Sequence, residues 1–291
     1  MKAIELDAAG LTLQACAHGP DDAPPLLALH GWLDNAASFT RLAPLLDTHR
    51  LIALDLPGHG RSAHLPPGPL VHYDLPVYVA AVLAAADALA LQRFDLLGHS
   101  LGAGIASLLA AAAPDRIRRL VLIEGLGPLP DDPGRTLQRF RDAAARRIQQ
   151  RARRLRHFAD PREAVAARCV AGGLDEDNAR LIVERGLARD GKGWRWSSDP
   201  RLTLPTPVRL DEAQIRRLLK GIVAPTALLL ARPQTPYLPV DMLRERAQHV
   251  PDIRIDFLDG GHHLHMQHPD AVAKHVQAHL AGADAHGMEA L

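Results

Sequence analysis

Residues 94–104 read Phe-Asp-Leu-Leu-Gly-His-Ser-Leu-Gly-Ala-Gly, and the fold turns on what Ser100 is doing there. Phe94–Leu97 is a short apolar run of the kind a buried strand needs. Leu101–Ala113 is rich in small residues and stops before Pro114, which reads as a helix. The joint between them is G-x-S-x-G in a strand–turn–helix context, the pattern of a nucleophile elbow. The reason is steric. The turn must hold the serine backbone in a strained conformation so that its hydroxyl projects, and side chains two residues away would collide with it. Gly98 and Gly102 remove those collisions, while Gly104 and Ala103 let the helix pack close to the sheet. A polar structural turn is the plainer alternative, and the flanking elements favour a reactive serine.

Working outward, short apolar runs alternate with longer helical patterns, which signals an α/β fold with a mainly parallel sheet. Eight strands are expected: Ala3–Asp7, Leu11–Ala17, Leu26–His30, Leu51–Asp55, Phe94–Leu97, Leu120–Glu124, Thr226–Ala231 and Ile253–Leu258. Helices are expected at Ser38–Leu46, shortened or kinked by Pro44, and at Asp74–Leu91, Leu101–Ala113, Pro239–Val250 and Pro269–Leu280. The alternation stops after Glu124 and resumes near Thr226. The interval holds no clear strand, and Leu137, Phe140, Ala144, Ile148, Ala152 and Leu155 recur at helical spacing. The chain therefore divides into a core of residues 1–126 and 221–291 and an inserted helical cap of residues 127–220.

Lys plus Arg (34) nearly cancel Asp plus Glu (33), so net charge points to neither nucleic acid nor an anionic membrane. Nine arginines lie between Arg135 and Arg156 with one acid, Asp142. With Phe140 the one aromatic residue among them, they read as a solvated helix face rather than a nucleic-acid groove. Cys16 and Cys169 are far apart, which argues against a disulfide framework or thiolate metal site. MKAIELDAAG lacks the apolar stretch of a secretory signal, and no run approaches the roughly 20 residues of a membrane span. A cytoplasmic protein is expected.

A serine hydroxyl is a weak nucleophile without a base. The base is expected in Gly260-Gly261-His262-His263-Leu264-His265, where the loop after the last strand returns to the edge of the sheet that carries the elbow. His262 directly follows the glycine pair. With His268, four histidines crowd this stretch, a density that raises a shared metal as an alternative. No cysteine is near, and Gly-Gly argues for a loop, so neither metal nor cofactor is expected. Oxyanion donors are expected from the amide of Leu101 and from that of Trp32, in His30-Gly31-Trp32-Leu33-Asp34-Asn35, with Gly31 freeing the turn. His30, Gly31, Trp32, His99 and Phe140 are expected along the substrate pocket.

The histidine also needs a carboxylate to fix its tautomer. The loop after Thr226–Ala231 reads Arg-Pro-Gln-Thr-Pro-Tyr and holds no acid. Val121-Leu122-Ile123 ends in Glu124, a charge that is costly to bury without a partner. Glu124 is the expected third member, Asp259 the runner-up, and Asp55 more plausibly a brace for its own loop.

These segments carry a resemblance. HGW (30–32), DLPGHGRS (55–62), GHSLG (98–102) and GHHLHMQHP (261–269) occur in the order of α/β-hydrolase-fold enzymes. HGWLDNAASFTRLAPLL (30–46), the elbow, and LIVERGLARDGKGWRWSSDPRL (181–202) resemble the serine hydrolase-like family. The resemblance implies a mostly parallel eight-stranded sheet flanked by helices with an inserted helical cap, and Ser100 as nucleophile. Its pattern of a histidine seven residues before a proline selects His262 over His263, since Pro269 follows. Its commoner acid position falls near Gln234, a departure, while a strand-six alternative falls on Glu124. Serine rather than aspartate at the elbow speaks against dehalogenase or epoxide hydrolase chemistry.

The expected function is acyl-enzyme hydrolysis of a small carboxylic ester or thioester. Two rivals stay open: carbon–carbon bond hydrolysis or perhydrolysis by the same residues, and a ligand-binding homologue that has lost activity.

Overall fold

The structure, a computed structural model, describes residues 1–68, 72–150 and 156–282. In chain order the strands are β1 (Lys2–Ala8), β2 (Leu11–His18), β3 (Pro25–Leu29), β4 (Arg50–Leu54), β5 (Phe94–His99), β6 (Ile117–Ile123), β7 (Leu187–Asp190), β8 (Gly193–Trp196), β9 (Thr226–Arg232) and β10 (Ile253–Asp259). The helices are α1 (Leu75–Ala88), α2 (Leu101–Ala112), α3 (Thr136–Gln150), α4 (Pro161–Gly172), α5 (Glu176–Gly186), α6 (Glu212–Leu219), α7 (Val240–Ala247), α8 (Leu264–Gln267) and α9 (Pro269–Leu280).

Eight strands form one sheet in the order β1-β2-β4-β3-β5-β6-β9-β10. The run from β4 to β10 is parallel, and β1 and β2 pair antiparallel at one edge. Strands covered on both faces carry continuous apolar runs, which is why Leu26–Leu29, Leu120–Ile123 and Ala227–Ala231 are buried throughout. Alternate residues serve opposite faces. Leu27 and Leu29 pack with Val82 of α1 and Ile105 and Leu109 of α2. Leu26 and Ala28 pack with Val272 and Val276 of α9. Burying each such leucine contributes roughly 1.5–3 kcal/mol. The parallel arrangement brings the ends of β3, β5, β6 and β10 to one edge, where His30, Ser100, Glu124 and the Gly260–His263 turn follow them.

Ser38–Leu46 is not one helix. It forms two 3-10 turns, Ala36–Phe39 and Ala43–Leu45. Asn35 caps the first through Ala37 N, and Pro44 opens the second, so no continuous ladder of amides runs through them.

Between β6 and β9 lies the insert, which is mainly helical but holds the hairpin β7–β8 where no strand was expected. Each strand has only four residues, and Gly193 sits at φ 121°, too short a pattern for alternation to show. Part of its support is remote: Phe158 and Trp194 exchange backbone hydrogen bonds of 2.7 and 2.9 Å. Phe158, Val165, Leu174, Ile182 and Val183 form the insert's own apolar cluster, joined by Met266 from α8. Trp196 meets Phe158 edge-on at 5.8 Å, so it anchors that cluster.

The expected apolar face of α3 is also corrected. Leu137 and Phe140 are 62% and 57% exposed, and Ala143, not Ala144, is the buried alanine. Arg139 selects the inward face by pairing with buried Asp131 at 2.6 Å, and Ala143 lies one turn further on that face. Ala152, Leu155 and the side chain of Ile148 lie outside the described residues.

Polar contacts seat the insert on the core. Arg185 pairs with Asp55 at 2.8 Å, Asn35 Nδ2 donates to Ile182 O at 2.8 Å, Ser197 Oγ donates to Gly60 O at 2.6 Å, and Arg168 pairs with Asp34. Asp55 also accepts from the amides of Ala36 and Arg61, bracing its own loop.

Candidate active site

Ser100 follows β5 directly with φ 52° and ψ −113°. Such a backbone is strained for any residue bearing a Cβ, and its neighbours hold it there. Ser100 N–H donates to Ile123 O at 2.9 Å, and Gly104 N–H donates back to Ser100 O at 3.0 Å. A Cβ on Gly98 would lie 2.4 Å from Gly102 O, and one on Gly102 would lie 2.1 Å from Leu29 O. Both glycines are therefore dictated by close packing of β5, α2 and β3. Of the five non-glycine residues with positive φ among the described residues, three, Leu33, Ser100 and Glu124, surround this point.

His262 Nε2 lies 2.9 Å from Ser100 Oγ, and His262 Nδ1 lies 3.1 Å from Glu124 Oε2. A carboxylate only accepts, so Nδ1 carries the hydrogen and Nε2 turns its lone pair to the serine hydroxyl. Glu124, just beyond β6, is 2% exposed. Its Oε1 accepts from Ala231 N–H at 2.7 Å, and its Oε2 also accepts from the Thr235 hydroxyl. Three donors thus replace the water that burial removes. Asp259 is exposed at the end of β10, and the carboxylate at His262 is that of Glu124.

Two neighbours were not anticipated. Thr235 has only its hydroxyl, in an acid-free loop after β9, as a signal. Tyr237 meets the His262 ring edge-on at 5.4 Å and is 55% exposed.

Leu101 is the first residue of α2, so the helix leaves its N–H unused. Trp32 is 53% exposed, and its indole donates to Leu202 O of the insert at 3.1 Å. The positive φ of its loop falls on Leu33 rather than Gly31. Gly31 is required for close approach instead: a Cβ there would lie 2.9 Å from Asp34 Oδ2 and 3.0 Å from His99 Nδ1.

His30 and His99 do not line an open pocket, because both are fully buried. His30 Nε2 accepts from Leu56 N–H at 3.0 Å and its Nδ1 donates to Gly31 O at 2.8 Å, pinning two loops together. His99 Nε2 donates to His262 O at 2.8 Å. Phe140 stands exposed on α3.

Beneath this arrangement lies a cluster the sequence showed only as an excess of histidine. The His99 ring is 4.9, 5.1 and 4.3 Å from those of His262, His263 and His265. Asp34 sits among them, with Oδ2 3.3 Å from His263 Nε2 and 3.8 Å from His99 Nδ1, and Oδ1 on Arg168. Burial alone would raise the Asp34 carboxyl, but His263, Arg168 and His99 outweigh it and hold the group well below the ordinary carboxylate range. Burial, with neighbouring imidazoles, pushes His99 well below the usual histidine value and His265 down to about 3. Among the described residues, no three His, Cys, Asp or Glu side chains converge as a metal site.

A family model described as alpha/beta hydrolase fold matches residues 24–269. The chain belongs to the α/β-hydrolase family. Within it, this hydrolase is similar to a serine hydrolase-like protein of Danio rerio, with 30% identity over 88% of this chain and 81% of that protein. Among solved structures, it is similar to a hypothetical protein from Pseudomonas aeruginosa PAO1, with 38% identity, a TM-score of 0.87 and coverage of 96% and 98% of the two chains. It is also similar to a thioesterase domain from the curacin biosynthetic pathway, with 26% identity, a TM-score of 0.82 and coverage of 95% and 98%. The mostly parallel eight-stranded sheet of this α/β-hydrolase is the frame on which Ser100, His262 and Glu124 meet.

Proposed function

We propose that this protein is a serine hydrolase that cleaves a small carboxylic ester or thioester through an acyl-enzyme. The observation that carries the reading is the 2.9 Å contact between His262 Nε2 and the hydroxyl of a backbone-strained Ser100. Ser100 Oγ attacks the acyl carbonyl carbon while His262 Nε2 takes its proton. The carbonyl oxygen becomes an oxyanion and accepts from the amides of Leu101 and Trp32. As the tetrahedral intermediate collapses, His262 returns the proton to the departing alcohol or thiol. Water then repeats the sequence at the acyl-enzyme and regenerates Ser100. Glu124 holds the His262 tautomer and stabilises the imidazolium.

The inserted residues 127–220 act as a cap on this site, with Trp32 and Tyr237 at its rim and Phe140 offered from α3. The 26% identity to a thioesterase domain supports including thioesters among the substrates. The protein should hydrolyse p-nitrophenyl acetate and butyrate and react with a fluorophosphonate probe at Ser100. Ser100→Ala should abolish both, and unchanged rates in that variant would refute the assignment. A panel of esters and thioesters of graded acyl length then ranks the substrates.

A further inference from the structure

Asp34 is a buried carboxylate whose two oxygens serve different parts of the molecule. Oδ1 takes Arg168 from α4 of the insert, and Oδ2 faces His263, the chain neighbour of His262. We propose that Asp34 and Arg168 are positioning residues that make the placement of the catalytic base depend on the seating of the insert. The inference rests on the reading of Ser100 and His262 given above.

The His262 peptide is held from two directions. On one side His99 Nε2 donates to its carbonyl at 2.8 Å. On the other, the next residue, His263, is tied to Asp34. His99 in turn packs with its Nδ1 3.8 Å from the same Asp34 carboxylate. The backbone that carries the base is thus clamped by two imidazoles that both abut one anion, and that anion is held by a guanidinium from the insert. Arg168 and Asp34 have side chains only 11% and 1% exposed, so removing either partner leaves a charge without its counterion in a poorly hydrated place.

Among the described residues, Arg168 Nε, His99 Nδ1, His263 Nδ1 and both ring nitrogens of His265 are buried without hydrogen-bond partners. Polar atoms left unpaired do not lock a structure, so Asp34 supplies the principal polar restraint among these groups. Met266 of α8 joins the insert's apolar cluster and Gln267 Nε2 reaches Gly173 O at 3.4 Å, while two polar contacts of the insert end elsewhere: Arg185 on Asp55 after β4, and Ser197 on Gly60. Those two polar contacts fasten the insert without touching the His262 segment.

The test compares wild type, Arg168→Ala, Arg168→Lys, Asp34→Asn and, as a control, Ser197→Ala. The readouts are the second-order rate of Ser100 labelling by a small fluorophosphonate, kcat and KM for p-nitrophenyl butyrate, and Tm. Arg168→Ala and Asp34→Asn should slow labelling and lower kcat on the order of tenfold to a hundredfold, as expected when a base is displaced by a fraction of an ångström to an ångström. KM should change far less than kcat. Arg168→Lys should recover part of the loss, and added guanidinium ion at low concentration should rescue Arg168→Ala. Ser197→Ala should lower Tm while labelling at the wild-type rate.

Folded Arg168→Ala that labels as fast as wild type would overturn the inference while leaving the nucleophile assignment intact. If that variant does not fold, Asp34→Asn carries the same comparison, and an unchanged labelling rate overturns the proposal. Failure of the wild type itself to label at Ser100 would instead overturn the reading on which it rests.

Discussion

Glu124 Oε1 accepts from Ala231 N–H while Oε2 serves both His262 and Thr235, and the charge and the threonine contact can be removed separately. Glu124→Gln keeps the shape but offers His262 an amide in place of a carboxylate. It should lower kcat/KM on the order of a thousandfold or more, measured with p-nitrophenyl butyrate. Thr235→Val removes one donor from Glu124 Oε2. A buried acceptor deprived of a partner costs about 1–3 kcal/mol, so the variant should unfold at lower urea concentration and lose several-fold in kcat. Ser100, His262 and Glu124 were legible because each is marked by its place: glycines around a serine, a glycine pair before a histidine, a charge closing an apolar run. Thr235, Asp34 and Arg168 were not legible. Their partners lie 111 and 134 residues away, and nothing local marks a threonine or an arginine as belonging to a site.

At the level of elements, the central sheet strands could be read because their buried runs are continuous, and β1 because its apolar residues alternate. The short hairpin β7–β8, the inward face of α3 and the 3-10 turns after β3 could not, since pairing with Phe158, the Arg139–Asp131 pair and Pro44 decide them. Arg246 of α7 shows how such remote bonds hold elements together. Its side chain is 1% exposed, donates to Leu126 O and Pro128 O at 2.7 and 2.9 Å, and pairs with Glu212 of α6 at 2.6 Å. It therefore fixes where the insert leaves β6 and where it returns. Arg246→Ala strands these acceptors and should cost about 3–5 kcal/mol, read from the urea midpoint. Gly98→Ala should also destabilise sharply, because its Cβ meets backbone rather than a side chain that can move aside.

For the whole molecule, acid is the condition to which the fold is most exposed. Burial lowers His30, His59, His99 and His265, with His59 and His265 brought down to about 3. Above the unfolded value of about 6.5, both states leave these rings neutral and no stability depends on them. Below it, the unfolded chain binds protons that the fold refuses. For His59 and His265 stability therefore falls from about pH 6.5 toward 3, by up to roughly 1.4 kcal/mol per pH unit for each, and His30 and His99 act in the same direction. Depression of Asp34 acts in the same direction at lower pH, below its unfolded range near 4. Tm measured from pH 8 to 5 should hold steady and then drop. His265→Met, which removes a ring whose nitrogens have no partner, should shrink the drop by about one group's share. The placement of the acid on β6 has a last effect. The bend after β9 is released from supplying a charge, and one hydroxyl is its whole obligation to the proton path. On the proposed acyl-transfer reading, Pro236 and Tyr237, exposed beyond it, can be replaced to admit other acyl groups while the chemistry behind them stays as it is.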